Sequence, residues 1–336
     1  MSDDTPNVTQ RLHRRVPAGG YRRGLLFLVA IGIPLCVAVV LHMPAGGLIG
    51  AMTGLILSFA DDEGALSRRL GTLATVAAGI AIGGVAGIAL HGFPPSLWVL
   101  FAISTFASGW YQGRSKAYML AARFGSMALV VTSGAPELRL EELAFAVGAL
   151  AVVAVARVVD HLAGGPLTQP RGRPRVVPSG GWIRFALAYA AAATASLGIG
   201  IALDPTRVLW VVVTTLVVMQ PDARLSYVLI VQRIAGTVLG VAAAFAVTNV
   251  VHSPWPIAAI LLCVAPLIPH HLQNRYWLHT ALIALLVLLA YDLAAAADPR
   301  ILQGLFTERL QDVLLGGGIA LIGTLFAFPR DAPEET

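Results

Sequence analysis

The sequence predicts an all-α integral membrane protein of about twelve transmembrane helices. They form two six-helix parallel repeats related by a pseudo-twofold axis along the membrane normal. Three observations carry that prediction. Of 336 residues, 57% are hydrophobic and only 12% are charged, about half the roughly 25% charge of a soluble domain and too little to cover a soluble surface. Mean hydropathy is +0.77, which also excludes a disordered chain. The apolar residues run on continuously for about the thickness of a bilayer instead of alternating, which selects helices over barrel strands. Finally, short motifs recur between the two halves.

Taking about 20 apolar residues per span, with Pro, Gly and charge clusters as breaks, places the first six helices at 24–43, 45–60, 66–90, 96–112, 116–133 and 141–163. The second six fall at 182–202, 207–220, 225–251, 255–272, 276–297 and 306–329. Helices two and eight are short. Residues 1–23 read as a basic cytoplasmic tail, with Asp3 and Asp4 arguing against a signal peptide. The stretch 164–181 is Pro/Gly-rich and basic, a linker between the halves 24–163 and 182–329, and 330–336 form a second cytoplasmic tail.

Orientation follows from the basic residues. With the N-terminus inside, Arg11, Arg14, Arg15, Arg22, Arg23, Arg68, Arg69, Arg114, Lys116, Arg171, Arg173, Arg175, Arg224 and Arg275 fall on the inner side. Only Arg139, Arg207, Arg300 and Arg309 fall outside, so both termini are expected in the cytoplasm. A net charge of +5 spread this way marks topology, not a nucleic-acid face.

The repeat signal is local. Arg68-Arg69-Leu70-Gly71-Thr72 and Arg233-Ile234-Ala235-Gly236-Thr237 share R-x-x-G-T, Thr53 and Asp61 align with Thr214 and Asp222, and outer turns carry Phe93-Pro94-Pro95 and Pro254-Trp255-Pro256. Six helices per half keep both halves in the same orientation, as in parallel-repeat transporters. Glycines recur every fourth residue at Gly46, Gly50, Gly54 and at Gly79, Gly83, Gly87, a spacing for close helix packing; no P-loop spacing occurs.

Four blocks of the second half carry a resemblance. They are Trp210-Val-Val-Val-Thr214-Thr215-Leu-Val-Val-Met-Gln220-Pro221, Gln232-Arg233-Ile-Ala-Gly236-Thr237-Val-Leu-Gly240, Asn274-Arg275-Tyr276, and Glu308-Arg309-Leu310-Gln311-Asp312-Val-Leu-Leu-Gly316. In this order they resemble the fusaric-acid-resistance (FUSC) superfamily of bacterial inner-membrane proteins, which includes aromatic-acid exporters. The first half matches less fully, with Glu141-Glu142-Leu143 where an Arg/Asp pair belongs. The resemblance implies a twelve-helix, inner-membrane, transporter-like protein, often working with a periplasmic adaptor protein.

Charges inside spans are costly and mark function by default. Arg233, about two turns into helix nine, reads either as a guanidinium holding a substrate carboxylate or as a snorkelling structural residue. Arg309 and Asp312 lie three apart on one face of helix twelve, a local ion pair or a gate opened by a competing anion. Asp292 is either a proton-coupling carboxylate or an interfacial residue. Arg275 and His279 sit one turn apart at the inner mouth of helix eleven, suited to collecting anions or to ordinary anchoring. Thr214, Thr215 and Gln220 put polar atoms on short helix eight as pore-lining candidates or as helix contacts, and Trp210 reads as an interface anchor. His270, His271 and His279 lack carboxylate or cysteine neighbours at ligand spacing, so no metal is expected. Cys36 and Cys263 form no redox motif.

No cofactor fingerprint and no nucleophile–base pair points to an enzyme. The expected function is a secondary exporter of small anionic aromatic or amphipathic compounds. The alternatives are an anion channel resembling the plant aluminium-activated malate transporters and a non-transporting membrane scaffold.

Overall fold

The computed structural model describes residues 18–62, 64–134, 139–166, 181–203, 208–251, 253–272, 275–294 and 299–328. Among them run twelve helices. The first six are α1 Ala18–Leu41, α2 Pro44–Phe59, α3 Leu66–Ala89, α4 Pro94–Tyr111, α5 Lys116–Gly134 and α6 Leu140–Gly164. The second six are α7 Gly181–Leu203, α8 Val208–Val218, α9 Ala223–Val250, α10 Pro254–His271, α11 Tyr276–Ala294 and α12 Pro299–Ala327.

The boundaries follow local chemistry. Pro44, Pro94 and Pro254 open α2, α4 and α10, where a missing N–H costs nothing and φ is already helical. Asp222 caps α9, its side chain accepting from the Leu225 amide at 2.9 Å. Gly165 at φ +66° ends α6, a conformation most side chains resist. Pro266 and Pro269 lie at the break in α10, which tightens into a 3-10 turn over Ala265–Leu267.

Glycines allow the closest helix contacts. A Cβ on Gly83 would come within 2.0 Å of the Gly125 carbonyl oxygen, and one on Gly236 within 2.1 Å of the Trp277 carbonyl oxygen. Neither helix pair, α3 with α5 or α9 with α11, could approach so closely around a larger residue. In the first six helices α1 packs on α2 and α6, α2 on α6, α3 on α5 and α6, and α4 on α5. The same pairs recur six helices later: α7 on α8 and α12, α8 on α12, α9 on α11 and α12, and α10 on α11. The two sets meet through α4 against α7, α10 against α1, α5 against α8 and α11 against α2.

Among the described residues eight helices are long and apolar enough to cross a membrane, against twelve expected. The shortfall has physical causes. α2 has 16 residues and α8 only 11, rises of about 24 and 16 Å against a hydrocarbon core of about 30 Å. α4 and α5 have sufficient residues but are diluted by serines and threonines and, in α5, by Lys116 and Arg123.

Several boundaries also move. Helix begins at Ala18, so Arg22 and Arg23 ride on α1 and do not belong to the expected tail. α12 begins at Pro299, not 306, which places Arg309 and Asp312 well inside it and Gly316–Gly318 near its middle. The R-x-x-G-T motifs are not at matching depths. Arg68 is the third residue of α3 and Gly71 has open space around it, whereas Arg233 is the eleventh of α9 and Gly236 closes on α11. Residues 1–17, 167–180 and 329–336, hence most of both expected tails and of the linker, lie outside the described residues.

Candidate functional site

Two groups of buried charge occupy the bundle, and they differ in how well they are satisfied. The first gathers where α1, α3 and α5 begin and α2 and α6 end. Arg69 is fully buried. Its Nε and Nη2 donate to the two oxygens of Asp61 at 2.9 and 2.8 Å, and its Nη1 donates to Asp160 at 2.7 Å. Asp160 also accepts from Arg22 at 2.7 and 3.0 Å. Arg157, equally buried, donates to the carbonyl oxygens of Arg69 and Leu57 at 2.9 and 2.7 Å and lies 3.5 Å from Asp61. Every oxygen of the two carboxylates is used. Fork geometry of this kind is charge-assisted and directional, and it ties four segments of the first half together.

The second group lies among α8, α9, α11 and α12. Arg233 and Arg309 are each 4% exposed and sit about 15 Å along their helices from the first residue. The Arg309 guanidinium lies 3.8 Å from the centre of the Trp210 ring, a cation–π contact. It is within electrostatic reach of Arg233, Asp312 and Tyr291, and Trp210 meets Tyr291 edge-on with ring centres 6.5 Å apart. Nε and Nη1 of Arg309 and Nε of Arg233 are buried with no hydrogen-bond partner among the described residues. The hydroxyls of Thr214, Thr237 and Thr280 share that condition. Asp292 and Asp312 are also buried, at 2% exposure each.

The local packing explains why the side chains converge. Gly316 of α12 rests on the Val211 carbonyl and the Thr214 side chain, and Gly236 and Gly240 of α9 rest on Trp277, Thr280 and Ala281 of α11. Three glycines thus pull α8 onto α12 and α9 onto α11, leaving the arginines of α9 and α12 facing one another's fields. The arrangement brings together two guanidiniums with unfilled donors, the Asp312 carboxylate and the rings of Trp210 and Tyr291, groups that can hydrogen-bond charge and stack on a ring.

The remaining sequence-predicted residues have other surroundings. Thr215 bridges helices, sharing a hydrogen bond with Ser196 at 2.6 Å and donating to the Gly316 carbonyl at 3.0 Å. Gln220 accepts from the Gln112 side chain at 2.8 Å, a contact between the two sets of six helices, and Gln112 accepts from buried Arg123 at 3.3 Å. His279 is buried, Nδ1 on the Ile268 carbonyl oxygen at 2.8 Å and its ring against Phe59, while Arg275 is exposed. The two therefore do not form a shared basic mouth. Trp210, expected as an interface anchor, is the platform beneath Arg309. Among the described residues no group of His, Cys, Asp and Glu could hold a metal.

Sequence reasoning missed the network of Asp61, Arg69, Arg157 and Asp160, and it missed Arg123. A signal existed in Arg157 and Asp160, three apart on one face of an otherwise apolar helix.

Residues 187–323 fit the family model described as fusaric acid resistance protein-like. No curated protein and no solved structure matches the chain. The matched segment contains α8 and α9, α11, and the part of α12 that bears Arg309 and Asp312.

Proposed function

We propose, from the match of residues 187–323 to the fusaric acid resistance protein-like family model and from the many apolar helices long enough to cross a membrane, that the chain is a secondary exporter of small anionic aromatic or amphipathic compounds. The observation carrying this reading is Arg309: a buried guanidinium with two unfilled donors, laid on Trp210 and facing the charge of Arg233. A buried charge is expensive unless paired and hydrogen-bonded, and a carboxylate-bearing aromatic supplies both the anion and the ring.

Recurrence of the packing pairs at an interval of six helices supports two parallel six-helix halves, with α2 and α8 as equivalent short helices. In that reading α2 and α8 complete twelve crossings with the help of longer neighbours, and the basic end carrying Arg22, Arg69 and Lys116 faces the cytoplasm of a bacterial inner membrane. Both arginines are shut off from solvent in the conformation described, so an anion reaches them only when the helices part, as alternating access requires. A periplasmic adaptor is a natural partner for such an exporter.

The test is uptake of a labelled aromatic carboxylate into inverted membrane vesicles. Arg309→Gln is expected to abolish uptake at unchanged membrane abundance. Undiminished uptake by Arg309→Gln would refute the reading. Single-channel currents far above carrier turnover would favour the anion channel.

A further inference from the structure

A second site lies away from the arginine pair, at the end of the bundle where α1 and α5 begin. There a cavity of about 60 Å³ opens between the two sets of helices. Its polar wall is Arg23, Lys116, Arg157 and Asp61; its apolar wall is Phe27, Phe59 and Pro269, with Leu26 and Leu272 at the side. Lys116 is the first residue of α5 and Arg23 lies in the second turn of α1, while Arg157 is about two turns inside the end of α6.

The charge pattern there is asymmetric. Both oxygens of Asp61 are already engaged by Arg69, and Arg157 spends Nη1 and Nη2 on backbone carbonyls. Lys116 is different. Its residue is exposed and its ammonium turns inward to donate to the Asp61 carbonyl oxygen, which uses one of three donors. It also lies within electrostatic reach of Arg23 and Arg157 and of the carboxylates of Asp62 and Asp61. The Asp61 carboxylate is held by Arg69, so the cavity presents a lysine with donors to spare among both signs of charge, with two phenylalanines in its apolar wall. Its volume holds a few waters or one anionic head, well short of the roughly 300–1,000 Å³ that encloses a whole drug-sized molecule.

We propose that this cavity binds the head of an anionic amphiphile, with the carboxylate or phosphate on Lys116 and Arg23 and the adjoining apolar segment on Phe27 and Phe59. Such an anion comes either from a soluble amphipathic acid or from a membrane lipid. The site is separate from Arg309 and does not depend on the exporter reading.

The experiment uses the full chain in phosphatidylcholine nanodiscs. Dodecanoate is the soluble probe, with dodecanol as the uncharged control, and binding is read by equilibrium dialysis. Dodecanoate is expected to bind in preference to dodecanol, with Lys116→Gln weakening it at least tenfold. Glutamine keeps an N–H donor on a side chain one bond shorter than lysine, and an unchanged apparent Tm checks that the variant is folded. In nanodiscs doped with phosphatidylglycerol, co-purification of that lipid with the parent but not with Lys116→Gln, together with displacement of dodecanoate, identifies lipid as the occupant. Equal retention of both probes by the parent, Lys116→Gln and the double variant Arg23→Gln/Lys116→Gln overturns the proposal. Arg309→Gln should keep dodecanoate binding while losing transport, so failure at one site is read apart from failure at the other.

Discussion

Removing a buried arginine ordinarily destabilises a protein, and the two charge groups predict opposite outcomes for the same substitution. Arg69→Gln leaves Asp61 and Asp160 without the fork that satisfies them, and breaking a buried pair in this way costs about 3–5 kcal/mol. Arg309→Gln deletes a guanidinium whose Nε and Nη1 have no partner. Each unmet buried donor costs about 1–3 kcal/mol, so removing two recovers roughly 2–6 kcal/mol. Against that stands the loss of the contact with Trp210, about 2 kcal/mol when desolvated. Two further effects oppose each other: Arg309→Gln relieves the repulsion from Arg233 and forfeits the attraction to Asp312. The donors and the aromatic contact together leave about 0–4 kcal/mol in favour of the variant, and the glutamine amide, which brings two N–H donors of its own into the buried position, draws that balance toward zero. The assay is the apparent Tm of the purified chain in detergent. Arg69→Gln should lower it by several degrees and Arg309→Gln should hold or raise it. An Arg309→Gln protein as unstable as Arg69→Gln would show that the second group is a structural brace and refute the reasoning.

Three other outcomes follow from the same geometry. Gly236→Val drives a side chain into the Trp277 carbonyl and should sharply reduce membrane abundance on an immunoblot; normal abundance would mean α9 and α11 do not need their close contact. Trp210→Leu keeps an apolar residue but removes the platform under Arg309, so apparent affinity for aromatic anions should fall several-fold in the vesicle assay, and losing a contact of about 2 kcal/mol should lower the apparent Tm by less than Arg69→Gln does. Asp160→Asn cannot satisfy both Arg22 and Arg69, and should lower the apparent Tm about as much as Arg69→Gln.

The helical membrane class and the second-half arginines were legible because they rest on local costs. Long apolar stretches have one favourable fate in lipid, and Arg233, about two turns into helix nine, stands out for the cost of burying it. Arg309 reads from the sequence as near the start of helix twelve, and its depth comes from the seven further residues that open α12. The Arg69 network was only partly legible: Arg157 and Asp160 share a face of an apolar helix, but Arg22 and Arg69 look like ordinary basic anchors, and Arg22 and Asp160 are 138 positions apart, so only tertiary packing brings the network together. The shortness of α8 was legible, since the apolar run stops at Gln220-Pro221, and the helix spans Val208–Val218 within the expected 207–220. His279 was misplaced because sequence spacing put it one turn from Arg275 without revealing that Ile268 and Phe59 close over it.

The most direct measurement of the central claim is uptake of a labelled aromatic carboxylate by inverted vesicles carrying the parent, Arg309→Gln or Arg233→Gln at matched abundance. The account predicts saturable uptake by the parent and none by either variant. Uptake by both variants equal to that of the parent would contradict it.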